Sequence, residues 1–566
     1  MTAPVDRATL GEAVAGRLAR WDDERVAERL WERDASLWEA SGADPGDLRD
    51  RLGWLDLPAT MRARADELVD LARRAWADGY RQAAVLGMGG SSLAPELFGD
   101  LARAGLAVRD DDARLPVRVL DSTHPDAVRA FADWATGERT LFLVSSKSGT
   151  TTEPLAYHAA MAAHAPPGDF VAITDQGTPL ADLARQQGFR AVIDAPSDVG
   201  GRYSALTVFG LVPAALAGID VERLLDRAGA MAEMARRPAT QNPGLILGAT
   251  IGEAALAGRD KLTFLLAGEL VGFGDWVEQL IAESTGKQGT GIVPVVREPL
   301  GNPDDYARDR AFVDVTLAEG RGAQVARLGA RLEELGHPVG HIELSDPLEI
   351  GAEFVRWEVA TAAAGIVLGI DPFDQPNVQE SKDATTALLE TFRRDGALPG
   401  EMPLVAGEGL AAYADAEVLG DTPPTVAAAV RRLFEISEAG DYFAILAYLP
   451  MEPTTIERLG AIRRRVRDAL GLATTLGFGP RFLHSTGQLH KGGPASGLFL
   501  QITADPRQDA PIPGWRETFA TLVAAQAQGD LASLAKRRRR AMRIHLGDLD
   551  AGLERLEQLI SDALGG

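Results

Sequence analysis

From Gln82 onward the chain alternates short apolar runs with helical stretches, and this alternation constrains its fold more than any other feature. AAVLGMGG, VRVLDS, TLFLVSSKSG and FVAITDQG are apolar runs, each ending in Gly, Ser, Thr or Asp. Between them, PDAVRAFADWA and EPLAYHAAMAAHA carry apolar residues at helical spacing. Strands alternating with helices predict a parallel, doubly wound α/β sheet. The pattern restarts near Lys261 with KLTFLLAG, GIVPVV, FVDVTL and GHIELS. A third burst, YFAILAYL, ATTLGFG and GLFLQIT, covers Tyr442 to Thr503. Residues 1–80 read as helices, and so does the end, ASLAKRRRRAMRIHLGDLDAGLERLEQLISDAL. The acidic, Gly- and Pro-containing stretch 399–424 reads as a linker.

At 566 residues the chain exceeds what one hydrophobic core organises, and roughly two to four domains follow. The net charge of −23 argues against nonspecific nucleic-acid binding, which needs a basic face. It also supplies no long-range attraction for a phosphorylated ligand, so an anion site must be built locally from backbone N–H groups and a few cations. The basic run Lys536–Arg540 reads as a solvated helix face in so acidic a chain. There is no cysteine, which removes disulfides, thiolate nucleophiles and cysteine metal sites. The opening stretch lacks the uninterrupted apolar core of a signal peptide, and no segment has the apolar length to cross a membrane. The expectation is a soluble cytoplasmic protein with no nucleic-acid or membrane partner.

Two loops carry the chemistry. In AAVLGMGGSSLAPELF, Gly87, Gly89 and Gly90 end a strand and Ser91 and Ser92 precede a helix. Glycines let a backbone approach an anion, but a tight turn alone explains this motif equally well. VSSKSGTTTEP is more telling. Ser145, Ser146, Ser148, Thr150, Thr151 and Thr152 crowd around Lys147 and Gly149, whereas an N-cap would need one hydroxyl. Hydroxyls and amides facing one ammonium group suit a phosphate monoester. The spacing of a P-loop is absent.

Taken in order, GMGGSSLAP, SSKSGTTTEP, DVGGRYSALTVFG, ESTGKQGTGI and FDQPNVQESK resemble the successive active-site segments of phosphoglucose isomerases. The resemblance spans roughly residues 80–500. It is similar to the isomerase part of bacterial transaldolase–isomerase fusions, although this chain is too short to hold both enzymes. The resemblance implies two SIS-type sugar-isomerase domains, at 81–235 and 236–420. A helical N-terminal arm (1–80) and a C-terminal α/β extension (421–566) that packs on the second domain and ends in a helical tail would flank them. It implies a sugar-phosphate substrate, no cofactor, no metal and a possible homodimer.

By the same likeness, Gly89, Gly90, Ser91, Ser146, Lys147, Ser148 and Thr151 hold the substrate, with its phosphate on the hydroxyl-rich loop. The family's further Thr in this loop falls at Pro154, which removes one hydroxyl. Arg202 lies near the reacting carbons, where a guanidinium stabilises an enediolate. Glu283 is the base that moves a proton between C2 and C1 through a cis-enediol. Gln375 meets substrate hydroxyls, Lys382 serves ring opening, and Lys287 is structural. The ring-opening histidine departs from the family order. No His occurs between Glu283 and His337, whereas PRFLHSTGQLHKGGP resembles the family's LHS-x-GQ form. This assigns ring opening to His484, with His490 on the same loop as its rival and further substrate contact. Alternatives are an isomerase that also accepts mannose 6-phosphate, an amino-sugar isomerase, a catalytically silent sugar-phosphate sensor, and a metal-dependent isomerase.

Overall fold

The computed structural model describes residues 7–565 apart from 319, 321, 415–419, 421 and 422. The first unit holds β1 (Gln82–Leu86), β2 (Val117–Leu120), β3 (Thr140–Ser145), β4 (Phe170–Asp175) and β5 (Ala191–Ala195), all parallel in the order β2-β1-β3-β4-β5. These strands read as continuous apolar runs because both faces are covered. Ala83 and Val85 enter one core while Ala84 and Leu86 enter another. The second unit holds β6 (Lys261–Leu266), β7 (Val293–Val295), β8 (Arg310–Leu317) and β9 (Val339–Leu344), parallel in the order β7-β6-β8-β9.

The third apolar burst forms a sheet of its own. β10 (Val405–Gly407), β11 (Leu410–Ala414), β12 (Tyr442–Tyr448), β13 (Ala473–Phe478), β14 (Gly497–Ala504) and β15 (Arg540–Leu546) lie in the order β10-β11-β15-β14-β12-β13. Strands β12 to β15 are parallel, and the hairpin β10–β11 adds antiparallel to β15. In all three sheets the second parallel strand flanks the first on one side and the third and fourth lie on the other. The stretch 399–424, expected as a linker, therefore contains part of this sheet; its residues 415–419, 421 and 422 lie outside the described residues.

Two further expectations are corrected. The basic run is not a helix face. Strand β15 interrupts the C-terminal helical stretch, separating the helices Phe519–Lys536 and Leu549–Ala563. RAMRIHL buries its Ala, Met, Ile and Leu side chains in the sheet, and the flanking arginines masked that strand in the sequence. Arg539 is buried, donating to the Lys491 and Gly493 carbonyls at 2.7 Å, and Arg540 pairs with Asp441. Second, the C-terminal unit packs on both others. One face of its sheet joins Ala282, Val293 and Val295 of the second unit, while Phe519, Leu522 and Ala525 pack under the first sheet. The N-terminal region is helical as expected, and its Trp21, Trp38 and Trp54 are buried in the main core. No helix among the described residues is long and apolar enough to cross a membrane.

Candidate active site

In an open parallel sheet, a ligand binds beyond the carboxyl ends of the strands where the winding reverses. In the first sheet that point lies between β1 and β3. The Gly- and Ser-rich loop leaves β1 and the hydroxyl-rich loop leaves β3. Gly89 has φ +54°, and a Cβ there would sit 2.9 Å from Gln279 Nε2 and 3.0 Å from the His484 carbonyl oxygen. A Cβ on Gly90 would fall 1.9 Å from the Gly201 carbonyl oxygen. Glycine is required here because the loop presses on the turns that carry His484 and Arg202. Ser91 is buried in the same turn.

On the second loop, Ser146 Oγ donates to Thr151 Oγ1 at 2.9 Å and accepts from the Gly149 N–H at 3.2 Å. Ser148 and Thr150 hydroxyls pair at 2.9 Å. The helix Thr152–Met161 begins without a side-chain cap, so the loop is not a capping turn. Lys147 departs from its expected place. Its Nζ turns to Asp175 Oδ2 at 2.5 Å and to the Ser197 carbonyl at 3.0 Å, and it does not line the cavity beside the hydroxyls. The cation in that cavity is Lys382 instead, on the helix Pro376–Asp395, with no ion pair among the described residues.

This cavity, about 260 Å³, is lined by Ser148, Thr150, Thr151, Glu153, Lys382 and His484, among others. His484 Nε2 lies 3.3 Å from Glu153 Oε1, and Gln526 Nε2 donates to the same oxygen at 2.7 Å. Burial alone would raise the Glu153 carboxyl, but the facing His484 and then Lys382 outweigh it and hold the group below its usual range. A larger cavity of about 520 Å³, between the N-terminal helix and the second sheet, has a mostly apolar lining and holds none of the residues singled out from the sequence.

Glu283, on the helix Val271–Thr285, is 8% exposed, with its Oε2 3.4 Å from Arg202 Nε. Gln279, one turn earlier, donates to Glu283 Oε2 at 3.2 Å and to the His484 carbonyl at 2.8 Å, bridging the base to the histidine turn. Arg202, 3% exposed, also donates to the Asp374 carbonyl at 3.1 Å and to Gln375 Oε1. Lys287 is buried against Asp374 Oδ1 at 2.6 Å; burial, then the nearby Arg202, lowers it to about 8. It is a tether for the 371–374 turn.

The transposed histidine segment is held by Gln488, which is fully buried. Its Nε2 donates to the Gly286 carbonyl at 2.9 Å and to Asn377 Oδ1 at 2.8 Å, and its Oε1 accepts from the Asn377 N–H at 2.8 Å. One amide thus joins the segments carrying Glu283, Gln375 and His484. His490 is not a rival. It lies among Tyr442, Phe482 and Phe499, with ring centroids 6.3, 6.1 and 5.1 Å away. Burial pulls it well below the ordinary imidazole value, and its Nδ1 has no hydrogen-bond partner.

Sequence reasoning passed over Glu153, Gln526 and Gln488. Glu153 stands inside the quoted hydroxyl-rich stretch, and Gln488 inside the quoted LHSTGQ stretch. Their partners are 331 and 111 residues away, so no local pattern exposes the pairing. Among the described residues, no group of three or more His, Asp or Glu side chains is placed to hold a metal ion.

Hydroxyls at the switch point of a parallel sheet, joined to a guanidinium of the same unit and to an acid and an imidazole from the other two, define a phosphosugar-isomerase type of α/β protein. No family model matches the chain. A glucose-6-phosphate isomerase from Heliobacterium modesticaldum is 31% identical over 395 residues, 60% of this chain and 87% of the relative. One from Parabacteroides distasonis is 29% identical over 408 residues, 63% and 90%. The chain belongs to the glucose-6-phosphate isomerase family. Among solved structures, a glucose-6-phosphate isomerase from Chlamydia trachomatis superposes with TM-score 0.54 at 20% identity, over 69% of this chain and 87% of that one. A hypothetical protein from Thermus thermophilus gives 0.56 at 24% identity, over 68% and 100%. Both likenesses concern the fold.

Proposed function

We propose that this chain interconverts glucose 6-phosphate and fructose 6-phosphate, with every catalytic group drawn from one polypeptide. The observation that carries this reading is the meeting of Glu283 and Arg202, bridged through Gln279 to the turn whose His484 shares a cavity with Lys382 and the hydroxyl-rich loop. The phosphate is assigned to the hydroxyls of Ser146, Ser148 and Thr151 and to the uncapped start of the helix Thr152–Met161. His484, held by Glu153, and Lys382 serve ring opening: the O1 proton leaves, the C1–O5 bond breaks and O5 gains a proton. The Glu283 carboxylate then takes the proton from C2. The enediolate charge develops on O1 beside Arg202, which stays protonated; the O2 proton passes to O1, and Glu283 returns its proton to C1, leaving the carbonyl at C2.

A buried carboxylate against a buried guanidinium suits this cycle, because the charge pair already exists before the substrate charge forms. A coupled assay with glucose 6-phosphate, fructose 6-phosphate and mannose 6-phosphate tests the reading. Glu283→Gln is expected to lower kcat about a thousandfold with KM little changed. A sugar-phosphate sensor would show no turnover to lose, and conversion of mannose 6-phosphate would establish the broader substrate range. Since the histidine is supplied in cis, a homodimer would leave its two centres chemically independent, and activity per chain should stay constant on dilution through dissociation. We also assign the chain to the cytoplasm, because a doubly charged sugar phosphate does not cross a bilayer unaided.

A further inference from the structure

A third cavity, about 360 Å³, opens in the C-terminal unit between its sheet and the helix Phe519–Lys536. Its floor is one face of the sheet. Tyr413 pairs in register with Arg543, Thr503 with His545, and Tyr448 with Thr503. Tyr448 ends β12 and Thr503 is near the end of β14. In this sheet the winding reverses between those two strands, so the cavity occupies the place that the hydroxyl-rich loop occupies on the first sheet. Ala524 and Ala527 of the helix form an apolar wall, and Glu401 stands at the rim.

The polar anchor is Arg543. It is 5% exposed and stacks at 4.2 Å over the Tyr413 ring. Its Nε is buried with no hydrogen-bond partner, while its Nη2 donates to the Glu401 carboxylate. An arginine this deep is seldom left half satisfied, since an unmet buried N–H is expensive. The guanidinium presents Nε and Nη2 as a planar fork that matches both oxygens of one carboxylate. Glu401 satisfies only one tine of that fork, from an exposed position on the loop before β10.

We propose that this cavity binds a small organic carboxylate side-on to Arg543, its apolar body against Tyr413 and the alanine wall, with Glu401 as the built-in carboxylate it displaces. Thr503, His545 and Gln528 supply polar contacts around the body; Thr503 Oγ1 and His545 Nδ1 already pair at 3.0 Å, and His545 Nε2 faces Asp505 at 3.6 Å. The site is separate from the hydroxyl-lined cavity, which meets Leu522 and Gln526 on the same helix.

Benzoate, titrated into the full-length chain by calorimetry or ligand-observed NMR, serves as the probe. One benzoate per chain is expected, bound about tenfold more tightly by Glu401→Gln and beyond detection in Arg543→Gln. Because the arginine variant can fail to fold, Ala524→Phe provides a second route: it fills the cavity without touching Arg543 and should also abolish binding. Lys382→Ala, which removes the lysine that lines the other cavity, should leave the titration unchanged. Absence of binding to both the native chain and Glu401→Gln would overturn the proposal. So would binding that survives Ala524→Phe, or binding lost in Lys382→Ala.

Discussion

His484 and His490 stand six residues apart on one short segment and inhabit opposite physical worlds. His484 faces a polar cavity, with the Glu153 carboxylate 3.3 Å from its Nε2 and Lys382 lining the same cavity. His490 lies among three aromatic rings and carries a buried ring nitrogen without a partner. The difference teaches that residue type and local motif fix what chemistry is available, while the surroundings decide whether a proton can be moved. Burial, and then the nearby Lys491 and Arg539, disfavour a charged imidazole at His490.

The contrast breaks most easily by exchange. His484→Gln should lower kcat on ring-closed glucose 6-phosphate about a hundredfold, while His490→Leu should keep it within about twofold and shift stability by less than about 1 kcal/mol. The reverse result in the same coupled assay would end the comparison. Next in size, Glu153→Gln retains the shape of the site and an acceptor for Gln526 but removes the charge facing His484. A loss of about tenfold in kcat is expected, and equal activity would mean that the pair only positions the loop.

The smallest effect concerns burial that the nearby Arg463, Arg481 and Arg297 do not offset. Glu278, on the far side of the helix that carries Glu283, is 9% exposed, and burial, then Asp275, pushes its carboxyl up to about 8. A group whose folded value is raised contributes stability below its unfolded value and loses it as pH climbs through the folded one. Glu278→Gln, uncharged throughout, should therefore melt higher than the native chain above pH about 8, with the gap closing on acidification. A gap independent of pH would mean that Glu278 finds a partner in its ionised form.

Much of this was legible before any coordinates. The apolar runs marked the strands of all three sheets where strands are buried on both faces, because such strands need no alternation. β15 escaped because four arginines and a lysine hide its onset, although its backbone joins the sheet, Arg539 donates to two carbonyls and Arg540 pairs with Asp441. The hydroxyl-rich loop was legible from composition alone. Lys147 was not, since the same ammonium group can reach inward to a phosphate or sideways to Asp175, and only the neighbouring strand β4, whose last residue is Asp175, decides between them.

What the sequence determined by itself is the set of reacting groups and their order along the chain, together with the alternation that forces parallel winding. What only the tertiary structure decided is which of them converge: Glu283 against Arg202, His484 against Glu153, and Gln488 across the Gly286 and Asn377 segments. Local pattern is set by the covalent chain over a few residues. Convergence is set by packing between distant segments, whose partners here are 81 to 331 residues apart, and burial determines which polar groups can remain charged.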